Sequence, residues 1–573
     1  MLAEGADDRR VERVKQTLAR GIALVTASLV ACGSADDDGA GGGAGSSAGA
    51  SGSKSDGTSG SKSDGDGGGK SGGQGGGVTS GDGVGASSSR GGQGTGASDN
   101  GAAGDGAGPV PTFGPTYFRF GVNGGYYGPG IDRRESAEMS RAAGASSLRT
   151  TLPEYYLEKW GDAIETEDYS YYETLGLGHH VCFLIGPSAA HSTAPAGAEE
   201  WELAHYAPTN LYERIFLDDG SVNPENHWAA YVERVAKNYG KYLDVYEVWN
   251  EPDQVGGNWQ VTEGWNTSPP SPSDLIWWND TVFAYVRMLR ITHEVVHRFD
   301  DNAAVTTGGI GYGSFLSALL RYTDEPDAGA VTDDYPEKGG RYLDVVSYHY
   351  YPVFGGGSSD RGVDGLLEAR DDYAKRLADA GEGERKLVVT ENGAPRYAVG
   401  DYVGGEEYSA SYLIKSMTLG HYAGLLGIDW FAQGDGAAPG ASTDAFDYMG
   451  LYFDYSQATA VPETSRSPQG DAYAWISTWL PGTAADPSAL DALALPSNVR
   501  GAAFEKGDAK LFVLWAKTEG DESATAAYEL ATDGQVTVHH FNLGDGAKSE
   551  PLAPEAGKVR LALTGMPIAV EVR

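Results

Sequence analysis

Cysteine is scarce in this chain. Cys32 and Cys182 are the two cysteines among 573 residues, so a disulfide framework is excluded as the main source of stability. They lie on opposite sides of a long polar stretch, and we expect no disulfide bond between them. Cys182 lies in the apolar run 181–185, which predicts a buried, inert thiol.

Positive charge is also in short supply. The chain has 42 Lys and Arg residues against 80 Asp and Glu residues, a formal net charge of −38. Nucleic-acid binding needs clustered basic side chains, so nucleic acid is excluded as a partner. Broad docking to anionic lipid is excluded for the same reason. The composition is typical of a solvated acidic surface.

Phosphate-binding and metal-binding signals are lacking. No glycine-rich turn follows the first predicted strand, as a dinucleotide site would require. No cofactor motif occurs, and no metal-ligand cluster stands out among the 11 histidines. We therefore expect neither a metal nor an organic cofactor.

An apolar run near the N-terminus, residues 21–31, is too short to span a bilayer. Basic residues precede it, a pattern that predicts a secretory signal. The run ends Leu29-Val30-Ala31-Cys32-Gly33, which resembles a bacterial lipobox. The resemblance implies cleavage before Cys32 and acylation of that residue, hence a lipid anchor in the cell envelope, at the outer membrane or cell surface. An ordinary signal or a chance apolar segment remains the alternative, and Val14 is an alternative start.

Residues 33–109 follow this signal (residues 1–32) and consist mostly of Gly, Ser, Asp and Ala. Such a stretch buries too little apolar surface to offset the entropy of ordering it. It predicts a flexible tether with a reach of roughly 50 Å. Behind a lipid anchor, the tether would hold a folded domain clear of the envelope.

Residues 110–481 alternate short apolar runs with amphipathic ones, which predicts an α/β fold of eight strands and intervening helices. We expect a (β/α)₈ barrel, with an open doubly wound sheet as the alternative. The predicted strands are residues 118–122, 146–150, 180–185, 243–248, 304–308, 343–348, 386–390 and 427–431. The predicted helices are residues 228–239, 278–298, 408–422 and 472–479.

Residues 482–573 have a different sequence pattern, in which Asp and Gly turns separate short β-rich runs. This pattern predicts a small antiparallel β-sandwich packed on the barrel. The runs are residues 500–504, 510–515, 535–541, 559–563 and 568–572. The sequence leaves open whether this domain is structural or binds glycan.

Two glutamates end predicted strands. Trp249-Asn250-Glu251-Pro252 follows the fourth strand, and Glu391 follows the seventh. The active site of a parallel barrel lies at the C-terminal ends of its strands. Cleavage of a glycosidic bond with retention needs two carboxyl groups about 5 Å apart. The placement of the two glutamates therefore indicates glycosidase chemistry.

The two motifs carry a family resemblance. Trp249-Asn250-Glu251-Pro252 resembles the acid/base motif of clan A glycoside hydrolases, and Thr390-Glu391-Asn392-Gly393 resembles the nucleophile motif of that clan. The resemblance implies that Glu251 is the acid/base, that Glu391 is the nucleophile and that Asn250 donates to the sugar 2-hydroxyl. Within the clan, the appended sandwich looks similar to family 39 or its neighbours.

The same resemblance extends to other strand ends. His349 and Tyr351, at the end of the sixth strand, share one side of the strand, and a Tyr hydroxyl there could hold Glu391 ionised. Aromatic packing alone is the alternative for this pair. Arg149 resembles the clan's arginine that supports the nucleophile, with a surface or core-pairing role as the alternative. Trp430 resembles the tryptophan on which a sugar ring stacks, with a core tryptophan as the alternative. Glu247 is interpreted as structural, with Arg149 as one candidate partner.

Long segments after the third and fourth strands, residues 187–222 and 254–272, carry aromatic residues that suggest sugar subsites, against plain loop packing. The sequence thus predicts a retaining β-glycosidase acting on a polysaccharide or its fragments, with carbohydrate as its partner. A non-catalytic carbohydrate-binding lipoprotein and a transglycosylase are the rival hypotheses. The sugar, the linkage, endo or exo action and the oligomeric state stay open.

Overall fold

A computed structural model describes residues 113–125, 130–164, 166–354, 357–544 and 546–573. These residues belong to one compact unit. The predicted signal segment with Cys32 and the predicted tether lie outside the described residues. Within the described ranges, no helix is both long and apolar enough to cross a membrane.

The first part of the described chain is a barrel of eight parallel strands. They are β1 (Arg119–Gly125), β2 (Ser147–Thr151), β3 (His180–Leu184), β4 (Leu243–Val248), β5 (Ala304–Thr306), β6 (Val345–Tyr350), β7 (Lys386–Asn392) and β8 (Gly427–Gly434). Their order in the sheet is β5-β4-β3-β2-β1-β8-β7-β6. The amide of Asp344 donates to the carbonyl of Val305 at 2.9 Å, which joins β5 to β6 and nearly closes the sheet. The barrel prediction is confirmed, and the alternative of an open doubly wound sheet is wrong.

Helices alternate with the strands, and polar caps fix where several of them begin. Asp132 and Glu135 form a capping box at the first helix, and Thr281 caps the helix that precedes β5. The α-helices among the described residues are α1 (Arg133–Ala142), α2 (Glu154–Trp160), α3 (Thr166–Thr174), α4 (His227–Tyr239), α5 (Val282–Phe299), α6 (Gly313–Leu319), α7 (Ser359–Asp379), α8 (Glu406–Tyr422), α9 (Pro468–Trp479) and α10 (Pro487–Ala492).

The core lies on both sides of the barrel sheet. A large apolar cluster fills the space between strands and helices. A second cluster combines small and branched side chains from neighbouring strands, as the filled interior of a barrel requires. Its buried members are Val181, Val245, Ala304, Val345, Val388 and Leu426. Both faces of each strand are buried, so the strands are continuous apolar runs in the sequence.

The C-terminal part consists of antiparallel strands, and the β-sandwich prediction is confirmed. The strands are β9 (Ala484–Ala485), β10 (Val499–Lys506), β11 (Ala509–Ala516), β12 (Thr525–Ala531), β13 (Val536–Asn542), β14 (Gly546–Leu552), β15 (Lys558–Thr564) and β16 (Ile568–Val572). One sheet has the order β14-β13-β16-β11-β10-β9, and the other pairs β12 with β15. Apolar side chains from both sheets form the core between them.

A buried ion pair fastens the sandwich to the barrel. Lys415 on α8 donates to Asp360 on α7 at 2.9 Å, and both side chains are buried. Asp360 also accepts from the indole of Trp515 at 3.0 Å and from the amide of Thr518 at 2.8 Å, both in the C-terminal part. The carboxylate of Asp360 therefore connects two barrel helices and the sandwich at one point.

Candidate active site

The structure brings the two predicted glutamates together at the C-terminal ends of β4 and β7. Nδ1 of His349 lies 2.7 Å from Oε1 of Glu251 and 3.6 Å from Oε2 of Glu391. A carboxylate oxygen of Glu251 lies within 4.8 Å of one from Glu391. This spacing is close to the separation of about 5 Å between the carboxyl groups of retaining glycosidases.

An unusual backbone at the end of β4 presents Glu251. Trp249 has φ 73° and Glu251 has φ 45°, left-handed conformations that non-glycine residues seldom adopt. The buried indole of Trp249 donates to the carbonyl of Trp277 at 2.7 Å, and the amide of Glu251 donates to the carbonyl of Gly308 at 2.5 Å. These fixed contacts hold the chain in a conformation that costs energy in isolation.

Glu391 is surrounded by hydrogen-bond donors, and its side chain is 1% exposed. Its Oε1 accepts from Nη1 of Arg149 at 2.7 Å and from Nδ2 of Asn123 at 3.2 Å. Its Oε2 accepts from the hydroxyl of Tyr351 at 2.5 Å. Burial raises the pKa of Tyr351 well above its usual value, with the Glu391 charge adding to the effect, so the phenol keeps its proton. Three donors on two oxygens fix the orientation of the Glu391 carboxyl group.

Glu251 has a different environment. Burial raises the pKa of Glu251 to about 7, while the charge of Arg149 and a hydrogen bond from Gln254 oppose the rise. Its side chain remains 15% exposed to solvent. A carboxyl group with this pKa is partly protonated near neutral pH and can exchange its proton with the cleft.

The neighbour of Glu251, His349, is a neutral imidazole near pH 7, because burial lowers its pKa to about 4. The ring lies against Gly309, where an added Cβ would come within 1.9 Å of Nε2 of His349. Gly309 also has a left-handed backbone, with φ 63°. A side chain at position 309 would therefore displace the ring that contacts Glu251.

Arg149 connects the site to the barrel interior. Its Nε donates to Glu247, its Nη1 to Glu391 and its Nη2 to Oδ1 of Asn250, each at 2.7 Å. Glu247 is fully buried and also accepts from the hydroxyls of Ser347 and Thr390. The expected pairing of Glu247 with Arg149 is confirmed. Because Asn250 uses its oxygen for Arg149, its Nδ2 is left to donate elsewhere.

Trp430 does not offer a face on which a sugar could stack. Its side chain is fully buried, and its Nε1 donates to the carbonyl of Met449 at 2.9 Å. Side chains alternate along a strand, and Trp430 points toward α8, with its ring 6.3 Å from that of Tyr412. The following residue, Phe431, packs edge-on to Tyr351 instead. The expectation of a stacking platform at position 430 is wrong, and the core alternative is correct.

Aromatic side chains flank the carboxylates. Tyr351 packs against Phe446 with ring centroids 4.8 Å apart, in a cluster that includes Trp277. Trp277 stacks with His205 at 6.5 Å, and His205 contacts Trp201 at 5.9 Å. Trp201 is 42% exposed. The rings thus continue from Tyr351 toward solvent, and we call Trp201, His205 and Trp277 the aromatic track.

The loop aromatics do not all serve the cleft. Trp265 is buried against Tyr312 and Phe315, which is loop packing. Sequence reasoning missed Asn123, Gly309 and Trp277. Asn123 is the one with a signal, a polar residue inside an apolar strand of the barrel, where a buried amide needs a partner.

No family model matches the chain, and no match is found among curated proteins. Among solved structures, a family 39 glycoside hydrolase from the gut symbiont Bacteroides cellulosilyticus WH2 is similar over 80% of this chain and 82% of that chain, with 17% identity and a TM-score of 0.51. A glucosidase from Croceicoccus marinus is similar over 81% and 97%, with 11% identity and a TM-score of 0.49. The first likeness establishes a shared fold.

Proposed function

We propose that this protein is a retaining β-glycoside hydrolase. The observation that carries the proposal is the pair Glu251 and Glu391, with carboxylate oxygens within 4.8 Å of each other and unlike surroundings. One carboxyl group has a pKa raised by burial to about 7, and the other receives three hydrogen bonds. This division matches an acid/base and a nucleophile.

The reaction has two displacements. In the first, an oxygen of Glu391 attacks the anomeric carbon and the glycosidic C–O bond breaks, while Glu251 gives its proton to the leaving oxygen. In the second, water attacks the same carbon, Glu251 takes the proton from that water, and the bond to Glu391 breaks. The sugar leaves with its original configuration.

The neighbouring residues position these groups. Arg149, Asn123 and Tyr351 hold Glu391 oriented for attack. His349 contacts Glu251 through Nδ1, and the hydroxyl of Tyr351 contacts Glu391. A contact of either residue with the sugar stays a prediction. The free Nδ2 of Asn250 is proposed to donate to the sugar 2-hydroxyl, as the clan A resemblance implies.

The aromatic track supports a substrate with more than one sugar unit. Sugar faces carry C–H groups that pack on aromatic rings. Trp201, the exposed member of the track, offers such a face, and it contacts His205, which stacks on the buried Trp277. The substrate class is therefore an oligosaccharide or polysaccharide. A non-catalytic binder would not require two carboxyl groups at the spacing that double displacement needs.

The test is chemical rescue. Glu391→Ala should fold normally and lose at least about 10⁴-fold of its activity on an aryl β-glycoside. Azide should restore turnover and give a glycosyl azide of inverted configuration, identified by NMR. Glu384→Ala, on the exposed turn before β7, makes the same chemical change outside the site and should keep full activity.

Undiminished hydrolysis by Glu391→Ala would refute the assignment. If the unmodified protein binds glycans tightly but forms no product from any β-linked substrate, the non-catalytic hypothesis is favoured. If products grow longer as the sugar acceptor concentration rises, transglycosylation is favoured over hydrolysis.

We also propose that the enzyme is exported and held at the cell envelope through acylated Cys32. The lipobox resemblance supports this placement, and the acidic composition argues against any other broad attachment to anionic membranes. Metabolic labelling with a radioactive fatty acid should mark the protein but not its Cys32→Ser variant. Equal labelling of both would contradict it.

A further inference from the structure

The helix α5 carries a histidine pair that the glycosidase chemistry does not use. The sequence His293-Glu294-Val295-Val296-His297 places two imidazoles four residues apart, on one face of the helix. This spacing is the one by which helices present two histidines to a single metal ion. From the sequence we expected no metal-ligand cluster among the histidines, and this pair was missed.

A carboxylate faces both rings. Asp344, immediately before β6, places Oδ2 2.9 Å from Nε2 of His297 and Oδ1 3.7 Å from Nε2 of His293. The three ligand atoms lie within 4.8 Å of one another. A tetrahedral zinc ion with ligands about 2.0–2.2 Å away separates them by about 3.4 Å. The two separations between an imidazole Nε2 and an Asp344 carboxylate oxygen, 2.9 and 3.7 Å, lie on either side of that value.

The surroundings suit a metal ligand set. The amide of Val305 donates to Asp344 at 2.8 Å and orients its carboxylate, as outer contacts do for metal ligands. Glu294 pairs with Arg290 at 2.7 Å, so it is not placed as the base of a metal-dependent hydrolase. The histidine side chains are 16% and 17% exposed, which leaves a path for an ion.

We propose that His293, His297 and Asp344 bind one divalent transition-metal ion of the zinc class, with the remaining position open to water. The site lies at the N-terminal end of β6, roughly 16 Å along the strand from His349. That end of a barrel serves stability rather than catalysis. The ion would clamp α5 to the junction of β5 and β6.

Calorimetric titration of the metal-free protein with ZnCl₂ tests the site. We expect saturable binding of one zinc ion per chain at this site, and a Tm that rises with zinc concentration. Co²⁺ in its place should give the visible absorption of a tetrahedral nitrogen and oxygen site. The double variant His293→Ala with His297→Ala should bind at least tenfold more weakly and lose the Co²⁺ absorption.

Two single-histidine variants show which group of side chains binds the zinc ion. His179→Ala removes a histidine that pairs with Asp244 without a second histidine, and it should leave zinc binding unchanged. His191→Ala tests a second histidine-containing cluster outside the active site, with Glu154 and Glu158, found among the residues that the structure describes. Zinc binding that survives the double variant but disappears in His191→Ala would overturn the proposal, as would no saturable binding at all.

If the double variant fails to fold, Asp344→Asn replaces it, because this change keeps the side-chain volume and removes the ligand charge. Unchanged zinc affinity in Asp344→Asn would equally overturn the proposal. None of these measurements uses glycoside turnover, so their outcome is independent of the proposed function.

Discussion

Arg149 and Glu391 form an ion pair in which neither side chain is more than 1% exposed. The same guanidinium is held from behind by Glu247. Because Arg149 uses three nitrogens on three acceptors, its planar fork fixes the direction of the Glu391 carboxylate as well as its charge.

Replacing Arg149 by lysine should therefore impair catalysis even though the charge is kept. Lysine cannot bridge three acceptors, and charge-assisted hydrogen bonds contribute about 1.5–3 kcal/mol each. We expect kcat/KM on an aryl β-glycoside to fall by about 100-fold or more. Arg119→Lys, in the buried pair with Asp429, is the matched control and should change stability more than turnover. Equal losses in the two variants would show that Arg149 acts only through packing.

Glu251 should set the alkaline limit of activity. Its pKa is raised by burial to about 7, and proton donation needs the protonated form. As pH rises above about 7, that form declines tenfold per pH unit, so kcat/KM should decline in parallel. A pH profile measured on a substrate with a poor leaving group checks this.

The matched variant is Glu251→Gln, which keeps the shape but cannot give up a proton. It should lose the alkaline limb together with most activity on poor leaving groups. A dinitrophenyl glycoside, whose leaving group needs no proton, should retain much of its first-step rate. An unchanged alkaline limb in the variant would assign the titration to another group.

The aromatic track predicts a dependence on substrate length. Trp201→Ala should raise KM for longer oligosaccharides by about 5- to 100-fold, because a sugar–aromatic contact resembles other aromatic contacts of about 1–3 kcal/mol. Hydrolysis of a short aryl glycoside should be unaffected. Phe299→Ala removes another exposed aromatic ring, at the end of α5, and should change neither. A uniform effect on all substrates would argue against a distal subsite.

The buried pair of Lys415 and Asp360 predicts a large effect on stability. Lys415→Met leaves Asp360 buried without its ammonium partner, and such changes cost about 3–5 kcal/mol. Lys375→Met, in the exposed pair with Asp379 on α7, should cost about 0.5 kcal/mol or less. Chemical denaturation of both variants measures the difference. Arg500 also contacts Asp360, at 3.1 Å. Similar small costs in the two variants would show that Arg500 or hydration compensates for the missing ammonium charge.

The strands were predictable because of their burial. β4 and β16 coincide with the predicted residues, since apolar runs bounded by polar turns leave little choice of register. The short β9, the exposed β14 and the alternating β12 were missed, because none of them forms an apolar run. The long helix α7 was missed as well, since charged residues interrupt its apolar pattern.

The placement of the active-site residues was predictable only where a residue ends a strand. Glu251 and Glu391 were identifiable from their motifs. They lie close together because the C-terminal ends of the parallel strands are all at one end of the barrel. Trp430 was misjudged because one residue of parity decides whether a side chain faces the cleft or a helix. Gly309 contacts His349 and Trp277 contacts Trp249, and both lie in loops far along the chain from these partners. Local sequence patterns do not reveal such contacts.

The ion pair of Lys415 and Asp360 also makes it difficult to remove the C-terminal sandwich from the barrel. The helix that carries Lys415 comes after β7, the strand that presents Glu391. Truncating the chain after residue 481 would expose an ammonium group and bare apolar surface on that helix. A shortened enzyme would first need new polar side chains there, and a transplanted replacement module would have to supply groups equivalent to Trp515 and Thr518.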